Sequence, residues 1–266
     1  MYFDRNNFIV QKDQDGGDTL RVEGSYACAL RWRERLKISN EEYFKTTYQQ
    51  YKRTLDLLQV EPGVFIRHPF DGVEWHKDPK ETSRDQLTPT VIAMGLTQLR
   101  EDLWQYTKRF ARRGFLKFQN KDLAGPQDWA SLVRAFWDVD GRSTAGYVML
   151  LCLLPVVLLG DLQLLLSVLV RCLKARNPDD VGDDWNLLAL VLQAQYSLPT
   201  PISFIARKLY KWFRPKSFGS GMATTEDRRD IPYDQPIYDA LRWYVRPESG
   251  GNPEVAWVYR ELIQDM

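Results

Sequence analysis

The sequence predicts a mainly α-helical protein, with helical hairpins in an α/α-toroid-like or layered arrangement and few or no strands. Three observations carry this. Apolar residues recur at steps of three and four along most of the 266-residue chain. Helix-start and helix-stop residues flank those stripes. Only Val64-Phe65-Ile66-Arg67 reads as a strand, half of a short ribbon.

The elements follow in order. Ser39-Asn40-Glu41-Glu42 has the form of a capping box, and Phe44, Tyr48, Tyr51, Leu55 and Leu58 share the face of the helix behind it. Ser83-Arg84-Asp85-Gln86 forms a second box before Leu87–Met94. Leu99, Leu103, Tyr106 and Phe110 make the next stripe, stopped by Gly114. Pro126 starts a helix with Trp129, Leu132, Val133 and Phe136 on one face, and a turn follows at Asp138–Ser143. Residues 145–173 are apolar on every side. They read as two consecutive core helices broken near Gly160–Asp161, at least partly buried all round. A polar loop at Asn177–Asp184 precedes a helix over Trp185–Gln195. Ile202, Ile205, Leu209 and Trp212 form a further stripe, and Phe213–Pro236 reads as a long loop. Helices at Ile237–Val245 and from Pro253 complete the chain. No linker composition divides it, so residues 1–266 are expected to form a single domain.

Hydrophobic residues at 44% and charged residues at 27% belong to a globular chain. A net charge of +1 provides no global field for nucleic acid. The stretch Ala145–Leu159 falls short of the roughly 20 residues of a spanning helix. Pro155 interrupts it and Asp161 closes it, which favours a core over a membrane segment. Cys28, Cys152 and Cys172 lack metal-ligand spacing and read as small buried hydrophobes in a reducing, cytoplasmic setting. The first ten residues have no secretory-signal character. Nucleotide-binding loops and the serine-hydrolase elbow are missing, and no cofactor is expected. The basic residues Arg207, Lys208, Lys211, Arg214 and Lys216 read as an outer helix face, and Asp179, Asp180, Asp183 and Asp184 as a solvated, capping loop.

Two polar stretches exceed what helix packing asks for. In the first, Gly16-Gly17 turns the backbone ahead of a helix start, where Asp18, Arg21 and Tyr26 either project into a pocket or serve as cap and surface charges. In the second, Arg67, His68, Trp75, His76, Arg84, Asp85 and Gln86 lie within twenty positions of one another. Histidines near carboxylates suit general acid–base work around neutral pH. Their spacing fits neither HExxH nor a zinc finger, so no metal is expected.

The stretch GGDT-x-R-x-x-G-x-Y (Gly16–Tyr26), the triplet Arg67-His68-Pro69 and the run Thr82-Ser83-Arg84-Asp85-Gln86 resemble loop motifs of α/α-toroid carbohydrate-active proteins, among them glycoside hydrolases and polysaccharide lyases. The resemblance covers about the first third of the chain. It implies a sugar cleft lined by carboxylates and aromatics, with carbohydrate as the ligand. Asp18 and Asp85 are then the candidate acid and base of glycosidic cleavage. In a lyase, His68 or Tyr26 would take the proton. Arg21, Tyr26, Arg67, Trp75, His76, Arg84 and Gln86 are candidate substrate contacts. Two other readings stand beside this one: a non-catalytic helical scaffold or interaction protein, and membrane association through 145–173.

Overall fold

The computed structural model describes residues 2–4, 8–10, 16–35, 41–141, 143–173 and 181–210. The Ser39 cap, the first half of the Asn177–Asp184 loop, Trp212, the Phe213–Pro236 loop and the two C-terminal helices lie outside them. The described residues are mainly helical, as the periodicity predicts. The order is β1 (Tyr2–Phe3), β2 (Ile9–Val10), α1 (Thr19–Arg35), α2 (Glu41–Leu58), β3 (Gln59–Glu61), β4 (Val64–Phe65), α3 (Arg84–Leu96), α4 (Arg100–Arg112), α5 (Pro126–Asp140), α6 (Thr144–Leu173), α7 (Val181–Tyr196) and α8 (201–210). Two short 3-10 helices, Glu74–Lys77 and Pro79–Glu81, precede α3. Strands β1 and β2 pair antiparallel, as do β3 and β4, so Val64-Phe65 is half of a ribbon as its sequence suggests.

The helices form layers around α3. Every residue from Gln86 to Leu96 is buried, and α1, α5 and α7 all pack against this helix. Its two threonines, and Thr97 at its C-cap, are buried at little cost because their hydroxyls bond to the helix's own carbonyls. The hydroxyls of Thr88, Thr90 and Thr97 donate to the carbonyls of Arg84, Gln86 and Ala93. A helix satisfied in this way can sit at the centre of a protein without being uniformly apolar. With α3 filling the middle, the described helices are layered, and nothing in their packing supports a toroid.

Several sequence readings hold. Tyr51, Leu55 and Leu58 of α2 are buried, as are Leu99, Leu103, Tyr106 and Phe110 along α4. Gly114 follows the α4 cap with φ of 67°. The amide of Phe115 donates to Phe110 O and that of Gly114 to Ala111 O. This is a Schellman stop, completed by the edge-on contact of the Phe110 and Phe115 rings. Pro126 starts α5, and Asp128 reaches back to accept the Gly125 amide at 2.8 Å.

Four readings need correction. Residues 144–173 form one continuous helix, not two. It is largely uncovered, with Leu151 75% exposed and Leu159 55% exposed. Gly160 does not break α6. It lets the helix approach α5, where a Cβ on Gly160 would lie 2.3 Å from Ala130 Cβ. Cys28 is buried, and burial raises its thiol pKa, but Cys152 is exposed on the outer face of α6. On α8 the buried face is Ser203, Ala206 and Tyr210, while Ile205 is 49% exposed. Polar anchoring of Ser203 to Thr200 and Ala194 O turns the helix that way. Finally, α7 begins at Val181, ahead of the predicted Trp185.

Asp161 explains why α6 is anchored at its middle. Its side chain is fully buried and accepts Arg134 Nη2 on both oxygens at 2.7 and 2.8 Å. Thr200 Oγ1 donates to it at 2.6 Å. Arg134 Nε donates to Ser197 O at 2.8 Å. Burial pulls the Arg134 guanidinium below its usual pKa, and the Asp161 charge opposes that. One ion pair therefore ties α5, α6 and the α7–α8 connection together.

Candidate functional site

The first polar stretch folds into a closed network at the start of α1. Asp18 Oδ2 accepts Arg21 Nη2 at 2.7 Å, and its Oδ1 accepts Gln86 Nε2 at 2.8 Å. Gln86 is fully buried; its Nε2 also donates to Gly17 O and its Oε1 accepts the Arg21 amide. Gln86 therefore does not reach back to cap α3. Ser83 makes no side-chain cap either: its hydroxyl hydrogen-bonds Asp85. The predicted capping box is replaced by a bridge from α3 to α1, because the buried amide of Arg21 needs an acceptor that only a neighbouring side chain can supply. Arg67 extends the bridge, donating to Gly17 O at 3.1 Å, Glu81 O at 2.7 Å and Ser83 Oγ at 3.3 Å. Replacing Gln86 with Leu strands the Arg21 amide and one Asp18 oxygen. The expected cost is about 1–3 kcal/mol in urea unfolding, and Gln86→Glu should cost more, because a buried carboxylate then faces Asp18 and Gly17 O where Nε2 donated.

The histidines belong to a second network. His68 is fully buried, and its Nδ1 accepts the amides of Phe70 and Asp71 at 3.0 and 2.9 Å. Its Nε2 lies 3.4 Å from Asp4 Oδ2. Gly16 packs on the ring so closely that a Cβ there would meet His68 at 2.3 Å. His76, also fully buried, hydrogen-bonds Asp71 through Nδ1, and Asp71 Oδ2 accepts the Gly16 amide at 3.0 Å. Both rings organise the turn that carries Pro69–Val73. With Nδ1 of His68 taken by two amides, that nitrogen has no lone pair to offer a substrate. Tyr26 is a core residue, 5% exposed. Trp75 remains half-exposed, with Arg67 5.0 Å above its ring and His76 edge-on to it.

The candidate site opens on the far side of Asp85. A cavity of about 790 Å³ lies between the start of α3, the loop before α5, the middle of α6 and α7. Its polar lining is Arg84, Asp85, Asp122, Gln127, Gln163 and Asn186, with Ser167 beside them, over a floor formed by Leu187 and Leu190, and the largely exposed Leu123 also borders it. Arg84 Nε pairs with Asp128 at 2.9 Å, and the Arg84 amide donates to Asp122 Oδ2 at 3.1 Å. Gln163 Oε1 accepts the Gln127 amide at 3.0 Å. Burial pushes the Asp128 carboxyl above its ordinary pKa, against the Arg84 charge and the Gly125 and Arg84 hydrogen bonds, which pull it down. Asp85 and Asp122 each keep one oxygen without a protein partner among the described residues. Asn186 Oδ1 is buried without one.

No family model, curated protein or solved structure matches this chain. The site therefore has to be read from its own chemistry. Of the residues singled out from sequence, Arg84 and Asp85 line the cavity. Asp18, Arg21, Arg67 and Gln86 join them only through the Gln86 and Ser83 bridges, and His68, His76, Tyr26 and Trp75 do not line it. Sequence reading missed Asp122, Gln127, Gln163, Ser167 and Asn186. One signal was available: Gln163 and Ser167 stand four residues apart, on one face of a stretch, Leu162–Val170, otherwise built of leucine and valine.

Proposed function

We propose that the chain binds a small, hydroxyl-rich ligand of the carbohydrate class in the cavity between α3, α5, α6 and α7. The observation that supports this reading is the mixed lining over a leucine floor. Amide, guanidinium and carboxylate groups stand side by side around one space of about 790 Å³. A sugar hydroxyl donates and accepts at once, so it suits a wall offering both, while aliphatic side chains suit the ring's C–H face.

Charge narrows the class. Asp85 and Asp122 face the cavity, and the one arginine in its lining is already paired with Asp128. Arg21 and Arg67 are engaged in the α1–α3 bridge. A neutral sugar or an amino sugar fits this balance better than a uronic acid. If the ligand is cleaved there, Asp85 and Asp122 are the carboxylates with oxygens to spare for acid–base work. Asp18 has both of its oxygens occupied.

Calorimetry against a panel of neutral sugars, amino sugars and uronic acids tests the reading, with 4-nitrophenyl glycosides added to detect cleavage. Binding of a neutral or amino sugar should weaken tenfold or more in Asp85→Asn, since a charge-assisted hydrogen bond contributes about 1.5–3 kcal/mol, and severalfold in Gln163→Leu, which removes a neutral one of about 0.5–1.5 kcal/mol. A panel in which nothing binds, or a bound sugar indifferent to both substitutions, would sink the proposal. Full cleavage activity in Asp85→Asn would remove the acid–base role alone.

A further inference from the structure

The outer face of α6 has no partner within the described residues. Tyr147, Val148, Leu151, Leu154, Leu158, Leu159, Leu162, Leu166, Leu169 and Val170 are all more than a third exposed. Monomeric proteins rarely leave so large a contiguous apolar patch in water. By length and composition, Leu151–Val170 is also sufficient to cross a membrane, with a mean hydropathy of 2.3.

We infer that this face is a self-association surface, covered by α6 of a second copy of the chain. Three features select that occupant. The first is spacing. The exposed residues Val148, Leu151, Pro155, Leu158, Leu162 and Leu169 follow one another at steps of three, four, three, four and seven. That is the seam of a helix packed on a helix, whereas lipid imposes no register. The second is extent. The exposed parts of those ten side chains amount to several hundred Å², the scale of the roughly 800 Å² that each partner contributes to a standard interface.

The third feature is charge. Interfacial membrane helices carry lysine and arginine beside their apolar face. Between Thr144 and Val170, α6 has no basic residue, and its one acid, Asp161, is buried against Arg134. Spanning would also draw that ion pair, and with it α5, into hydrocarbon. An isologous pair satisfies the seam with no change in the protomer. Leu166 and Val170 belong both to the exposed face and to the cavity lining. The second copy therefore sits at the edge of the ligand site, although the inference does not depend on what that site binds.

Light scattering coupled to gel filtration, without detergent, tests it on the full chain. The wild type should run at twice 31.1 kDa. Leu151→Glu with Leu162→Glu should run at 31.1 kDa with an unchanged far-UV spectrum and melting temperature, because both side chains are exposed in the protomer. Leu151→Met with Leu162→Met should remain a dimer. A wild type that is monomeric throughout a dilution series overturns the inference. So does a wild type that floats with phosphatidylcholine–phosphatidylglycerol vesicles and loses flotation, but not its molar mass, in the glutamate variant.

Discussion

Asp161→Ala should destabilise the protein by about 3–5 kcal/mol, measured as the shift of the urea midpoint at constant slope. The size follows from what remains after the substitution. Arg134 is nearly buried, and Asp161 supplies the carboxylate that its Nη2 binds at 2.7 and 2.8 Å. Without it, a guanidinium stays in low dielectric bonded to the carbonyls of Ser197 and Leu198, with Asp138 the remaining carboxylate acting on it. Thr200 also loses its acceptor. Arg134→Ala should cost a similar amount by stranding the carboxylate. The double replacement Arg134→Met with Asp161→Leu should recover most of the loss, because a desolvated pair is worth little more than well-packed apolar groups. Single and double variants that lose stability additively would show that the two side chains act independently, contrary to this account.

Gly160→Val should cost about 3 kcal/mol and Gly160→Ala about 1–2 kcal/mol, with loss of ligand affinity in both. Alanine is the better helix former by about 1 kcal/mol, so propensity alone predicts a gain. Packing outweighs it. A Cβ on Gly160 meets Ala130 Cβ at 2.3 Å and Pro126 O at 2.7 Å, both on the rigid body of α5. Neither can rotate away, so α5 and α6 must separate. One turn beyond Gly160, Gln163 holds the Gln127 amide at 3.0 Å at the cavity wall, and this contact should go with the separation. Ala130→Gly in the Gly160→Ala background should restore part of the stability, a coupling readable in a double-mutant cycle. Gly72→Ala is the control: nothing lies within 4 Å of a Cβ there, and its effect should stay within about 0.5 kcal/mol.

Local pattern was enough for much of this protein. The α2 and α4 stripes, the Gly114 stop, the Pro126 start and the β3–β4 ribbon are short-range features, and each is legible because 3.6-residue periodicity and cap chemistry act within one or two turns. Arg84 and Asp85 were also found from sequence, as a polar excess at the start of α3. The helices' order of burial was not. α3, with its threonines and Gln86, reads as less apolar than α6, yet α3 fills the centre and α6 carries the outer face. Hydroxyls that bond to their own helix cost little to bury, and that saving does not show in a hydropathy pattern. Asp161 read as an end to a helix until Arg134, twenty-seven positions earlier, supplied its counter-charge. His68 Nδ1 and the Asp18 carboxylate read as open to a ligand until the amides of Phe70 and Asp71 and the side chains of Arg21 and Gln86 took them up. Among the described residues, the sequence by itself determined which segments are helices and where most begin and end. Only the tertiary structure decided which polar groups satisfy one another and which are left facing a cavity, because that depends on partners distant in the chain.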